Sequence, residues 1–198
     1  MSDWPIRRVD SLVTLVRDRV VLKPGVEYRT MGVRWHGRGA YPRGVETTAT
    51  IKAKSLWRAH AGDFVFNRID TQKGAFDVVS DELDGALVTN EFPTYQTGEE
   101  VEAAFLRLYF LRPAVLADID SLRAGSEGRA RWKEADFEAT MLPLPPISTQ
   151  RLLIEVVERA NTYQGDLEAE LDALKTMREH LVEEMLNPPN EPSGDEGL

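Results

Sequence analysis

The chain has no cysteine, which excludes disulfides, thiolate zinc sites and cysteine nucleophiles and suits a reducing compartment. Histidine is scarce as well. His36, His60 and His180 are the only three, and no two are spaced as a metal pair, so no metal site is expected. No apolar run approaches the ~18 residues of a membrane helix, and the opening MSDWPIRRVD has no signal-peptide core. There is no G-x-x-x-x-G-K-[ST] run and no G-x-G-x-x-G behind a strand, so the usual phosphate cradles are missing. These absences predict a soluble, cytoplasmic protein with no cofactor.

What is present most plainly is one long helix. Pro145 and Pro146 cannot lie inside it, and Ser148 is placed to cap it. From Leu153, apolar or small residues recur at Val157, Ala160, Leu167, Leu171, Leu174, Leu181 and Met185, spaced by threes and fours, with Gln164 and Arg178 as interruptions. Glutamates fill most of the remaining surface, so the stripe reads as a coiled-coil seam that needs a partner. About 39 residues at 1.5 Å each span roughly 58 Å, more than a small domain is wide. Either the helix folds back on its own domain, or it pairs with a second copy or another subunit through Leu167, Leu171, Leu174, Leu181 and Met185. The predicted organisation is a globular domain over 1–144, a spacer and dimerisation helix over 145–187 and a disordered tail over 188–198.

The net charge of -9 argues against a nucleic-acid partner until it is divided along the chain. Residues 1–60 carry 12 Lys/Arg against 5 Asp/Glu, residues 61–150 carry 8 against 16, and residues 151–198 carry 4 against 12. A basic first third on an acidic chain lets one face meet phosphates while the helix stays solvated.

In chain order, Pro5–Val21 predicts a short amphipathic helix, with Val9, Leu12, Val13 and Val16 at helical spacing. YRTMGV reads as a strand, and RWHGRG behind it as a glycine loop carrying Arg34, Trp35, His36 and Arg38, extended by Tyr41 and Arg43. Cations interleaved with aromatics suit a DNA surface, although a buried Trp35 among scattered surface arginines fits equally well. TTATIKAK reads as a strand with Lys52 and Lys54 on one face. FVFNRI, AFDVVS and ALVTNEFPTYQ read as three further strands of a meander, with Arg68 and Lys73 near its turns and Asn67 and Asn90 as possible adenine readers. Glu99–Leu111 and Ala114–Ala124 predict two core helices.

The fold class that follows is α+β: a globular mixed domain with a mainly antiparallel sheet and packed helices, followed by a long C-terminal coiled-coil helix. Two weaker signals are set aside. Asn187-Pro188-Pro189-Asn190 approaches the Asn-Pro-Pro-aromatic motif of adenine methyltransferases but lacks the aromatic that stacks on an extruded base. Asp70, Asp77, Asp81, Glu82 and Asp84 lie near Lys73 without a clear acid-x-Lys strand, so solvated turn carboxylates describe them better than a metal-dependent nuclease.

Three stretches, in order, resemble the target recognition half of specificity subunits of type I restriction-modification systems. They are YRTMGVRWHGRGAYPRG; AGDFVFNRIDTQKGAFDVVSDELDGALVTNEFPTYQ, with Gly62, Asp63, Arg68, Ile69, Lys73, Gly74, Ala75 and Phe76; and MLPLPPISTQRLLIEVVERA, with its Gln-Arg pair leading into the long helix. The resemblance implies a non-catalytic reader of double-stranded DNA that recognises one half of a bipartite site, while DNA methyltransferase (modification) and restriction subunits do the chemistry. Such subunits usually carry two recognition domains and two spacer helices. This chain has one of each, which implies a half-subunit that self-associates through its helix on a palindromic interrupted site. At ~3.4 Å per base pair the helix spans at most about 17 base pairs. The residues expected to contact DNA are Arg34, His36, Arg38, Arg43, Lys52, Lys54, Arg68 and Lys73. The rival readings are an interaction adaptor or decoy with the same fold and, further off, a small metal-dependent nuclease.

Overall fold

The computed structural model describes residues 4–122 and 131–186. The chain divides into two compact units, Met1–Ile154 and Glu155–Leu198.

The first unit is built on a strand that is buried on both sides. Strand β7 (Phe64–Phe66) has no exposed residue. Its Phe64 and Phe66 face one core, and Val65 faces another. That arrangement explains why FVF is a continuous apolar run rather than an alternating one. The Phe64 and Phe66 side packs against Phe76, Tyr95, Phe110, Trp132 and Phe137, with ring centroids 5.2–6.3 Å apart. Three helices, α1 (Ala103–Phe110), α2 (Pro113–Leu122) and α3 (Glu134–Ala139), cover this aromatic core. Val65 faces a second core of Met31, Val33, Val79, Leu83 and Val88.

Two sheets share that second core. The first runs β2 (Val13–Leu15), β10 (Thr94–Thr97), β7, β8 (Phe76–Val78). The second runs β3 (Arg19–Val21), β6 (Ser55–Arg58), β9 (Leu87–Val88), β4 (Tyr28–Arg34), β5 (Gly39–Glu46). Strands β1 (Ile6–Arg8) and β11 (Met141–Pro143) form a two-stranded ribbon. Among the described residues every strand pairing is antiparallel except β4 with β9. The expected α+β class with a mainly antiparallel arrangement is therefore the one observed.

Several local expectations are overturned. Pro5–Val21 is not a helix: it is β1, a single 3-10 turn (Val9–Ser11), β2 and β3. Its valines are β-branched, and each strand finds a remote partner, β1 on β11, β2 on β10 and β3 on β6, so pairing overrides the helical spacing. TTATIKAK is not a strand, so Lys52 and Lys54 share no strand face. Thr47 accepts the amides of Thr50 and Ile51, and its hydroxyl accepts that of Ala49, closing the segment into a turn. ALVTNEFPTYQ is split into β9 and β10 in different sheets by a turn at Thr89–Phe92, and Pro93 has no amide for a ladder. Strand order is not that of a meander. Helix α1 starts at Ala103, leaving the glutamates ahead of it, and Pro113 opens α2 as well as stopping α1.

The long helix α4 runs from Ile147 to Leu186. It begins one residue before Ser148, and the Pro146 carbonyl, rather than a serine side chain, receives the first amides, those of Thr149 and Gln150. Gln150 is fully buried within the first unit. In the second unit Leu167, Leu171, Leu174, Leu181 and Met185 are each 47–80% exposed. Tyr163, Met177 and Val182 are exposed to a similar degree, which makes the apolar face wider than the seam read from the sequence. The tail from Asn187, with its Asn-Pro-Pro-Asn run, lies outside the described residues.

Candidate nucleic-acid interface

The β4–β5 hairpin turns at Trp35–Arg38. His36 (φ 60) and Gly37 (φ 66) both lie in the left-handed region, and the Arg38 amide donates to the Trp35 carbonyl at 3.3 Å, the arrangement of a tight hairpin turn. Glycine takes that conformation freely, and histidine is one of the few side chains found there. Beyond the turn the register shifts between Thr30 and Met31, so Arg43 is the extra residue of a bulge, with Gly44 beside it at φ 134. A bulge re-aims a side chain. Gly32, paired with Tyr41, is bare: a Cβ there would lie 3.1 Å from the Tyr41 ring and 3.2 Å from Arg43 Cδ, so a larger residue would push these two side chains aside.

These features gather Arg34, Trp35, His36, Arg38, Tyr41 and Arg43 around one groove of about 420 Å³, completed by Val33, Asn67 and Phe92. Three arginines and a histidine line it, and no carboxylate does. Arg34 stacks over the Tyr41 ring at 4.2 Å, holding its guanidinium while leaving the N–H edges open. Among the described residues no carboxylate pairs with Arg38 or Arg43. Trp35 is 43% exposed rather than buried, with Lys73 Nζ 4.2 Å above its ring.

The other expected contacts are distributed differently. Lys52 lines an adjoining apolar cleft of about 280 Å³ that shares Arg43 and Phe92 with the groove, and Lys54 is exposed beyond it. Lys73 is bonded to Asp70 at 3.0 Å and stands behind Trp35. Arg68 is turned inward: its side chain is 18% exposed, its Nε lies 3.4 Å from Glu134 Oε2, and its Nη1 donates to the Asn90 carbonyl at 3.3 Å. The Asn67 Oδ1 accepts the Ile69 amide at 2.9 Å, which leaves its amide nitrogen for the groove. Asn90 sits in an exposed turn. Phe92 went unrecognised in the sequence because a phenylalanine in a strand-like run reads as core; only the break before Pro93 exposes it to the groove.

Among the described residues no group of His, Asp and Glu is placed to hold a metal ion, and no helix is long and apolar enough to cross a membrane.

No family model matches the chain, and no curated protein matches it by sequence. Its fold does match solved structures. It is similar to the HsdS subunit from Thermoanaerobacter tengcongensis, with a TM-score of 0.69 at 18% identity over 96% of this chain and 51% of that one. It is similar to a chain from work on complex assembly and conformational transition of the type I R-M system (TM-score 0.60, 15% identity, 93% and 46% covered). A third is the type I restriction-modification S subunit from M. genitalium (TM-score 0.53, 13% identity, 92% and 45% covered). The fold implied by the three sequence stretches is thus the fold observed, and the chain spans about half the length of each of these proteins.

Proposed function

We propose that this chain is the sequence-reading subunit of a type I restriction-modification system in half-length form, a non-catalytic protein that binds duplex DNA and leaves methylation and cleavage to separate subunits. The observation that carries the reading is the groove at the β4–β5 hairpin. It offers open guanidinium edges, aromatic faces and an imidazole, with no carboxylate in its lining to repel phosphate. Arginine is the side chain best matched both to phosphate and to the O6/N7 edge of guanine. In this reading Arg34, His36, Arg38 and Arg43 touch DNA, Lys52 and Lys54 extend the phosphate track, and Lys73 and Arg68 act from behind.

Each copy reads one half of a bipartite site, and two copies associate through the apolar face of α4, which also presents them to the methyltransferase subunit. Support for association comes from the exposed side chains at Leu167, Leu171, Leu174, Leu181 and Met185, a load that a solitary helix has no reason to carry. The adaptor or decoy reading fits the groove less well, because a surface that mimics or avoids DNA has no use for unpaired arginines.

Selection of bound duplexes from a random-sequence pool by the full chain should enrich a short common motif; a pool that stays random would refute the proposal. Replacing Arg34 and Arg38 together by glutamate should weaken binding. It should also lower the slope of log affinity against log salt by about 0.9 for each phosphate that the variant no longer neutralises.

A further inference from the structure

The hairpin that carries the groove is held from behind by groups that cannot themselves reach a ligand in it. The backbone of its tip makes four bonds to the rest of the domain. The His36 amide donates to the Lys73 carbonyl at 2.6 Å and the Gly37 amide to the Gly74 carbonyl at 2.9 Å. The Gly37 carbonyl accepts from Arg107 Nη2 at 3.0 Å, and the Ala40 amide donates to Asp77 Oδ2. Arg107 and Asp77 are joined in turn, Nε to Oδ1 at 2.9 Å, with side chains only 26% and 21% exposed. Arg107 lies on α1 and Asp77 on β8, so one ion pair links helix, sheet and hairpin tip.

The packing is as close as the bonding. A Cβ on Gly39 would come within 2.5 Å of Asp77 Oδ2, and one on Gly74 within 3.2 Å of Leu111. Leu111, just past the end of α1 and one turn on from Arg107, also lies 3.5 Å from where a Cβ on Gly37 would be. His36 stays at φ 60, the left-handed conformation that its two-residue hairpin turn requires.

We infer that the Arg107–Asp77 pair is a brace that sets base discrimination: it positions the hairpin tip so that Arg34, His36 and Arg38 meet base edges in one geometry, while touching no DNA itself. The inference rests on the DNA-reading function proposed above. Bidentate contacts to base edges need their donors fixed in angle, whereas contacts to phosphate tolerate a moving tip because they depend mainly on charge. Loosening the brace therefore costs discrimination and spares general affinity. A groove arginine behaves differently, since its loss removes both.

The test uses the full chain and two variants, Arg107→Met and the near-isosteric Asp77→Asn, the second guarding against a fold too weakened by the first. Amide exchange is measured without DNA. The amides of His36, Gly37 and Ala40 should exchange at least about tenfold faster in both variants, while those of Phe64–Phe66 keep their protection. Affinity is then compared for the duplex selected by the parent protein and a scrambled duplex of the same composition. The ratio should fall about tenfold, the equivalent of one lost hydrogen bond to a charged group, with the salt slope on the scrambled duplex unchanged. Unchanged exchange at the tip would overturn the brace. So would a discrimination ratio within twofold of the parent, or a reduced salt slope, which would mean that Arg107 itself meets phosphate. If the parent protein itself shows no preference between duplexes, the DNA-reading function fails instead, and the exchange measurement alone decides whether the pair holds the tip.

Discussion

Replacing Gln150 by alanine should cost more stability than any surface change on α4, and the structure sets the size of the effect. The side chain is fully buried and makes three hydrogen bonds. Its Oε1 accepts the Glu102 amide at 3.0 Å, and its Nε2 donates to the carbonyls of Glu100 and Pro145, both at 2.9 Å. A buried polar group left without a partner costs roughly 1–3 kcal/mol. Glu100 is exposed, so water can take over there, leaving two groups to count. The expected loss is about 2–6 kcal/mol, or roughly 4–24 °C in Tm for a domain of this size. Urea unfolding followed through the fluorescence of the buried Trp132 reads it. The neighbouring Arg151 provides the comparison: its bond to Glu102 is short, 2.7 Å, but its side chain is 69% exposed, so Arg151→Ala should cost no more than about 1 kcal/mol. A Gln150→Ala loss below about 0.5 kcal/mol, or one no larger than that of Arg151→Ala, would refute the reasoning that this amide locks the first turn of α4 to the residues before α1.

Leu171→Glu combined with Leu174→Glu should convert an assembled protein to monomers in sedimentation velocity. Burying a leucine is worth about 1.5–3 kcal/mol, and a two-fold assembly would lose four such contributions, so an unchanged sedimentation coefficient would exclude this face as the interface. Tyr95 offers a pH readout. Burial, reinforced by the Glu138 carboxylate that accepts its hydroxyl at 3.0 Å, holds its phenol well above the usual tyrosine range. The folded state therefore keeps that proton when the unfolded chain, with a pKa of about 10, gives it up. The stability this contributes is complete below about pH 10 and is lost as pH rises beyond it. In urea titrations between roughly pH 9 and 12, Tyr95→Phe should flatten that alkaline decline, and an equally steep decline would count against the buried phenol as its source.

Helix α4 was legible because its signals are local: two prolines ahead of it, a stripe at spacings of three and four, and glutamates elsewhere. Its true first residue was not: the first helical hydrogen bonds run to the Pro146 carbonyl, so the helix opens at Ile147, one residue before the serine that the composition favours. The strand YRTMGV and the turn glycines behind it were legible for the same reason, but β5 was not: Gly39–Glu46 read as an extension of the loop, and it is a strand because it pairs along β4. The segment Pro5–Val21 was misread because Val9, Leu12, Val13 and Val16 satisfy helical spacing, while the partner that decides against a helix, β11, lies more than 130 residues away. Thr47–Lys54 was misread in the opposite direction: threonines that favour strands also close turns through their own hydroxyls.

The candidate groove divides along the same line. A run of neighbouring residues was enough to place Arg34, Trp35, His36, Arg38, Tyr41 and Arg43 together, because proximity along a hairpin is nearly proximity in space. Arg68 and Lys73 carry the same charge in the linear text, yet folding commits one to Glu134 and sets the other between Asp70 and Trp35. It also brings Phe92, Arg107 and Asp77 to the hairpin from three separate stretches. Residue type and spacing dictate which short segments form and which bear charge; whether a given cation faces solvent or is neutralised depends on carboxylates delivered by distant chain, and those meetings exist only once the sheets have paired.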